Sequence, residues 1–487
     1  MKGDCQVNTR ASTRLFAPSL LGVLLTAASG GGCTVGPRYE RPQVEPAPAF
    51  RFQIGPAEAA SIADLPWWAI FSDKSLQKLI TQALTNNYDL RIAVARVERA
   101  RSLVGVARSE LYPQVSAEGI ATREESFVPS ERLGGNITYN TFGAALKSVW
   151  ELDLWGRIRH STEAARANLY AAQDVRRGVM LTLVSEVATN YFSLIELDRE
   201  LSIANDSAAR YRQTLDLFTA RFQAGRDTKI AVTRAQAAYD SAIAAMARLR
   251  RAIGQQENAI STLLGTYPRA IDRGTVLTDQ LLPLSPPGLT TDLLQRRPDI
   301  QQLEQVMIGA NAQLGVAVAN FFPRIGLSAL FGTRGPQIDD MFKRDFNVWS
   351  IGAVLSSPIY QGGRLRADYE AQRAFWDETV LQYKQAVMGA FRETSDALLA
   401  QQTLVDQRGG LQSQANALSD AVDLVLSRYD AGRSNYFEVL DAEQQLFPAL
   451  DALAQTQRDQ LLAVVGLYKA LGGGWQVSES DWVHHVD

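Results

Sequence analysis

Two cysteines and three histidines are spread over 487 residues, so the side chains best suited to metal or redox chemistry are few and scattered. His160 opens a long helical stretch and His484 and His485 sit in a polar tail, an arrangement from which no metal site is expected. Glu151 and Asp153, two apart at a strand end, read as a solvated rim rather than an acid–base pair. Cys33 is different. It follows Ser29-Gly30-Gly31-Gly32, an apolar stretch over residues 15–28, and the bases Lys2, Arg10 and Arg14. Charge, apolar core and small residues in that order make a secretory signal, since a membrane span needs about 20 apolar residues. Removing residues 1–32 also removes Cys5, so Cys33 is left with no disulfide partner. Lipid attachment at Cys33 is therefore expected. Thr34 follows it, so the aspartate that typically retains lipoproteins at the inner membrane is absent. No catalytic constellation stands out, and neither an enzyme activity nor a cofactor is expected.

The remaining candidates lie around a helix stop that the chain builds twice. Phe222-Gln223-Ala224-Gly225-Arg226 and Tyr429-Asp430-Ala431-Gly432-Arg433 are 207 residues apart. Before each, apolar residues fall at steps of four, three and four: Tyr211, Leu215, Phe218, Phe222, then Leu418, Val422, Val425, Tyr429. This is the seam spacing of a coiled coil. Glycine closes each helix in a left-handed conformation, and Asp227-Thr228 or Ser434-Asn435 caps the next. Two antiparallel helical hairpins result. Past the second stop, Phe437, Asp441 and Gln444 share one helix face, and Arg234 is the first-copy counterpart of Asp441.

The elements that carry these tips also recur. A proline- and alanine-rich segment, within an arm over residues 33–66, reads as extended chain. Helical patterns follow, and beyond Pro113 the period changes to two, with Val115, Ala117, Gly119 and Ala121 alternating with polar neighbours. The expected first repeat spans residues 67–280, with strands at about 113–123 and 137–154 and a coiled coil at about 157–264. The second spans 281–472, with strands at about 323–333 and 346–359 and a coil at about 364–471, before a tail over 473–487. Asp89 and Asp299, and Pro113 and Pro323, match at an offset of 210; Leu264-Gly265 and Leu471-Gly472 match at 207. This is a tandem duplication. Strands of about 10 residues suit a transmembrane sheet. Four cannot close a barrel, and an open edge is not tolerated in lipid. Eight strands from a dimer would enclose only side chains, whereas twelve from a trimer leave a channel. A homotrimer is expected. A net charge of −3 gives no case for a nucleic-acid partner.

These residues resemble the outer membrane factor family, the TolC-like channels, and most closely the lipoprotein branch that serves resistance-nodulation-division efflux systems. The resemblance covers almost the whole mature chain. It is sharpest at Cys33-Thr34-Val35-Gly36-Pro37, at Arg296-Arg297-Pro298-Asp299-Ile300, and at Arg428-Tyr429 with Ala431-Gly432, Ser434, Leu440 and Asp441-Ala442. It implies a mainly α fold with transmembrane β strands, in which a trimer forms a 12-stranded barrel continuous with a periplasmic α-helical barrel. It also implies an outer membrane duct for drugs or other small toxic compounds, joined to a periplasmic adaptor and an inner membrane pump of the resistance-nodulation-division type. A duct for type I protein secretion and a pore-free coiled-coil scaffold are the alternatives. By the same resemblance, Asp441 belongs to a periplasmic constriction. Three copies of Phe437 and Asp441 are expected to form an apolar and an acidic ring. Asp441, Arg234, Arg428 and Tyr429 are expected to hold the closed state through polar contacts between coils, opposite charge being available between the hairpins at Arg234 and Asp441. Ala224, Gly225, Arg226, Ala431, Gly432 and Arg433 are the expected adaptor-docking tips. Trp150 and Trp155 are candidates for the membrane interface.

Overall fold

The register of the strands decides which side chains share each face of the sheet. In the computed structural model, residues 34–43, 48–53, 61–128, 135–282, 286–288 and 290–474 are described. Cys33, His484 and His485 lie outside them. The described chain divides into two units.

The first unit comprises residues 34–37, 108–161 and 313–369. Its core is a sheet of β1 (Gln114–Val128), β2 (Gly135–Leu152), β3 (Arg324–Gly335) and β4 (Asn347–Ser356), antiparallel throughout and in chain order. Ala117, Leu146, Phe331 and Trp349 stand opposite one another across all four strands, while Ser116, Lys147, Leu330 and Ser350 form the next row on the other face. The alternation therefore runs in phase from strand to strand. Phe331, Trp349 and Ile351 are 62%, 72% and 80% exposed, an apolar band that the described residues leave uncovered. The hairpin of β1 and β2, at 15 and 18 residues, is longer than that of β3 and β4, at 12 and 10. Its far end explains this: Arg123, Glu124 and Glu125 face Asn140, Tyr139 and Thr138, a polar extension suited to water.

Glu151 and Asp153 are not a solvated rim. Arg157 bonds Glu151 at 2.8 Å and Glu110 at 3.2 Å. The Asp153 carboxylate accepts from the backbone N–H groups of Ile158 at 3.1 Å and Arg159 at 2.9 Å, neutralising open donors at a helix start. Trp155 stacks on Phe322 at 4.9 Å and donates to the Pro323 carbonyl at 2.7 Å; Trp150 donates to the Leu111 carbonyl at 2.9 Å. Both indoles thus fasten the turns at the foot of the strands. The arm runs through this region. The Val35 N–H donates to the Trp155 carbonyl at 3.0 Å, and Gly315 leaves room for the His160 ring, which a Cβ there would meet at 2.8 Å.

The second unit comprises residues 38–107, 162–312 and 370–474 of the described chain. Helices α1 (Lys74–Asn86), α2 (Tyr88–Ser109) and α5 (Pro298–Ala319) belong largely to it, with most of four long helices: α3 (Arg157–Gln223), α4 (Lys229–Leu263), α6 (Arg364–Asp430) and α7 (Tyr436–Ala470). Helices α3 and α6 each have 67 residues and α4 and α7 each have 35. The 207-residue offset therefore holds at both ends of both pairs. At about 1.5 Å per residue, α3 and α6 are each about 100 Å long. Helix α3 contains an 18-residue window apolar enough to cross a bilayer, yet 61% of it is buried inside the protein; we assign it to the core.

In the second seam Val422 is buried and Leu418, Val425 and Tyr429 are half-buried. The first seam is observed with one exception. Tyr211, Leu215 and Phe218 are buried, whereas Phe222, in the last turn of α3, is exposed. Opposite them α4 buries Ala231, Ala235, Ala238 and Ala242, small residues that let the helices approach closely. At the other end of the coils the two repeats solve one problem with different residues. Asn87 Nδ2 donates to the Leu263 carbonyl at the end of α4, at 2.9 Å. Its counterpart Arg297 donates to the Ala470 carbonyl at the end of α7, at 3.0 Å, and bonds Glu393 at 2.7 Å and Asp299 at 2.6 Å.

Candidate functional site

Each tip is closed by its backbone. Gly225 and Gly432 have φ of 67° and 71°, and a Cβ at either would touch nothing, so the conformation alone accounts for glycine. Beyond them the Arg226 N–H reaches the Arg221 carbonyl at 2.9 Å, and the Arg433 N–H reaches that of Arg428 at 2.8 Å. Thr228 and Asn435 then cap α4 and α7, accepting from Ala231 and Glu438 at 3.4 and 3.2 Å. Ala224, Gly225, Arg226, Ala431, Gly432 and Arg433 are all exposed.

Just inside the tips the two hairpins are fastened by aromatic rings. Phe218 of α3 is 1% exposed and lies 3.9 Å from the Tyr436 ring and 6.1 Å from the Tyr429 ring, centroid to centroid. Cations from the first hairpin cover rings of the second: Arg221 sits 5.0 Å from Tyr429, and Arg234 sits 4.8 Å from Phe437. Contacts of this kind contribute about 0.5–1 kcal/mol each at exposed sites. The Tyr429 and Tyr436 hydroxyls are buried without hydrogen-bond partners, and burial, then Glu443, push the Tyr436 hydroxyl far above its usual range.

The structure brings together three of the expected constriction residues in part. Tyr429 meets the other hairpin through Phe218 and Arg221, and Arg234 meets Phe437. Arg234 and Asp441 form no ion pair within the chain. The guanidinium lies over the Phe437 ring instead, and the exposed Asp441 carboxylate accepts from Gln445 Nε2 on its own helix at 2.6 Å. Arg428 is exposed, with Nη2 3.5 Å from the Arg433 carbonyl. Phe437, Asp441 and Gln444 do lie exposed along one face of α7. Sequence reasoning missed Arg221 and Tyr436 as fasteners. Arg221 had a signal, since it is the first-copy counterpart of Arg428. Among the described residues no cluster of histidine, cysteine, aspartate and glutamate is arranged to hold a metal ion.

A sheet with an exposed apolar face, joined in sequence to duplicated 67-residue helices, defines a class of outer membrane channel. A family model described as outer membrane efflux protein matches residues 79–266 and 289–473, one match per repeat. The chain belongs to the outer membrane efflux protein family, and it is an outer membrane efflux channel. It is 32% identical over 467 residues to the probable efflux pump outer membrane protein TtgC of Pseudomonas putida, covering 94% of this chain and 96% of that relative. It is 31% identical over 447 residues to the cation efflux system protein CusC of Escherichia coli K12, covering 91% and 96%. The open-state structure of the MtrE outer membrane channel of Neisseria gonorrhoeae superposes with a TM-score of 0.82 at 31% identity, covering 91% of this chain and 99% of that one.

Proposed function

We propose that three copies of the chain close a 12-stranded barrel and a coiled-coil tunnel, forming the passive exit duct of a tripartite pump for drugs or other small toxic compounds. The observation that carries this is the four-stranded sheet with an apolar face open along its length, because lipid accepts β-strands only as closed barrels. The duct works on no bond, so a catalytic role is not part of the reading. A periplasmic adaptor and an inner membrane pump of the resistance-nodulation-division type are the partners. Lipid on Cys33 tethers the arm, whose Tyr39 and Arg41 side chains bond Glu304 at 3.3 and 2.7 Å.

In this reading three Asp441 carboxylates and three Phe437 rings narrow the periplasmic end. Single-channel recording in planar lipid bilayers tests both levels of the proposal. The wild type is expected to form channels that are mostly closed, and Asp441→Ala to raise the resting conductance severalfold. An unchanged closed state removes Asp441 from the constriction, and a trimer that passes no ions removes the duct.

The exposed tips are the docking points for the adaptor. Arg226→Glu combined with Arg433→Glu reverses the charge at both while leaving the glycine stops intact. Drug resistance conferred by the channel is expected to be lost, although the trimer survives on gels. Retained efflux with an intact trimer would show that docking lies elsewhere.

A further inference from the structure

Helix α7 carries a proline in its interior, Pro448. Proline has no N–H and its ring crowds the carbonyl four residues earlier, here that of Gln444, so the helical ladder is interrupted at this level. A groove of about 720 Å³, open to solvent, lies beside the break, lined by Gln444, Pro448 and Asp451 of α7, Ser207 and Tyr211 of α3 and Ser241 of α4. Two carboxylates flank the break. Glu443 is 2% exposed, and its Oε2 is buried with no hydrogen-bond partner. Asp451 Oδ1 is likewise buried and unpartnered. An ionised carboxylate is costly in such a place and is accommodated by giving up its charge or by reaching water. At the matching positions of α4 stand Gln236, Ser241 and Ala244, so the first hairpin repeats neither the proline nor the charges.

We propose that Pro448 is a hinge in α7, and that the ionisation of Glu443 and Asp451 releases the segment between the hinge and the tip from its packed position. The surroundings favour the neutral, packed form. Facing Glu443 are Arg210 and Tyr211 of α3 and Tyr436 of α7. Arg210 makes no hydrogen bond to it, and burial outweighs its attraction, pushing the Glu443 carboxyl up to about 7. Facing Asp451 are Glu200 of α3 and Arg248 of α4; burial first and Glu200 second push it up to about 6. Glu200 accepts from Gln455 at 2.7 Å, while Arg458 is shared between Glu196 and Asp459. From α6, Gln407 and Arg408 bond Thr456 and Gln460, further along α7. Both flanking carboxyls therefore pass from neutral to charged between pH 5 and 8. Each charge then seeks water, and opening at the hinge lets the buried carboxylates turn out toward the water-filled groove. The segment so released carries Phe437 and Asp441.

Conductance of the purified full-length channel in planar lipid bilayers, recorded between pH 5.5 and 8, tests this inference, which rests on the duct reading. The wild-type open fraction is expected to rise severalfold toward pH 8. The double variant E443Q/D451N, neutral at both sites, is expected to stay at the low level throughout. P448A restores the ladder and is expected to remain closed at pH 8, while its thermal unfolding keeps the wild-type pH dependence. Overlapping pH profiles for wild type and E443Q/D451N, or a flat wild-type profile, overturn the switch. P448A opening like wild type overturns the hinge. Should the double variant fail to assemble, E443Q and D451N singly are read the same way, each removing part of the rise. A failure of the Asp441 constriction is seen separately, at one fixed pH.

Discussion

Arg297→Ala is expected to lower the stability of the helical unit by about 2–4 kcal/mol, the largest loss from any single substitution considered for this chain. The guanidinium is 9% exposed as a side chain, and its partners Asp299 and Glu393 are 50% and 47% exposed. Removal leaves the Ala470 carbonyl without its donor and two carboxylates without their cation. Because those carboxylates reach water, the expected loss sits toward the low side of that for a fully buried pair. Arg297→Lys keeps the charge but cannot span three acceptors with a planar fork, so it is expected to recover less than half of the loss. Guanidinium unfolding of the three proteins, followed by circular dichroism, checks the ranking. Equal midpoints for Arg297→Ala and wild type would show that the end of α7 is held by packing alone.

The second large effect is a dependence on pH whose sign is set by burial. Glu443 is raised to about 7 by burial, opposed by Arg210, and Asp451 to about 6 by burial and Glu200. Asp174 is raised to about 6 by burial, against the pull of Arg177. Burial and the neighbouring Glu200 also raise Glu196. In each case the folded chain holds a proton that the unfolded chain gives up near pH 4 to 4.5. The stabilisation is therefore complete below that range and is lost as pH rises through 6 and 7. Asp73 and Asp299 act in the opposite sense. Despite burial, hydrogen bonds lower both, from Gln280 and Tyr191 for Asp73 and from Arg297 for Asp299. Their contribution is present above pH 4 and lost below it. The expected outcome is greatest resistance to guanidinium near pH 5 and a fall of a few kcal/mol by pH 8. A midpoint that climbs steadily from pH 5 to 8 would contradict the burial of these carboxyls.

The fold was legible wherever backbone periodicity and repetition carried it. Steps of four, three and four before each Ala-Gly stop located the coils, and one offset fixed the lengths of both hairpins. Alternation located the sheet and its apolar face. What could not be read depended on partners distant in sequence. Asp153 looks like half of a rim pair until the start of α3 is seen to need a cap. Arg297 is a conspicuous letter in a motif, but its task is set by a carbonyl at the end of another helix. The tip site was legible in position more than in chemistry. Arg234 is readable from the sequence as the counterpart of Asp441, but its guanidinium is not readable as the cover of the Phe437 ring, which comes from the facing hairpin, 203 positions along the chain.

The equality of 67 with 67 and 35 with 35 residues restricts how such a molecule changes over time. Adding one residue to a helix advances everything beyond it by about 1.5 Å and turns it by about 100°, which would swing a buried stripe into solvent on one arm only. Viable insertions and deletions must therefore come as whole heptads, entered in step on the ascending and descending arms and copied into both hairpins. Reach across the periplasm is thus an inherited, quantised trait, adjustable in increments of about 10 Å.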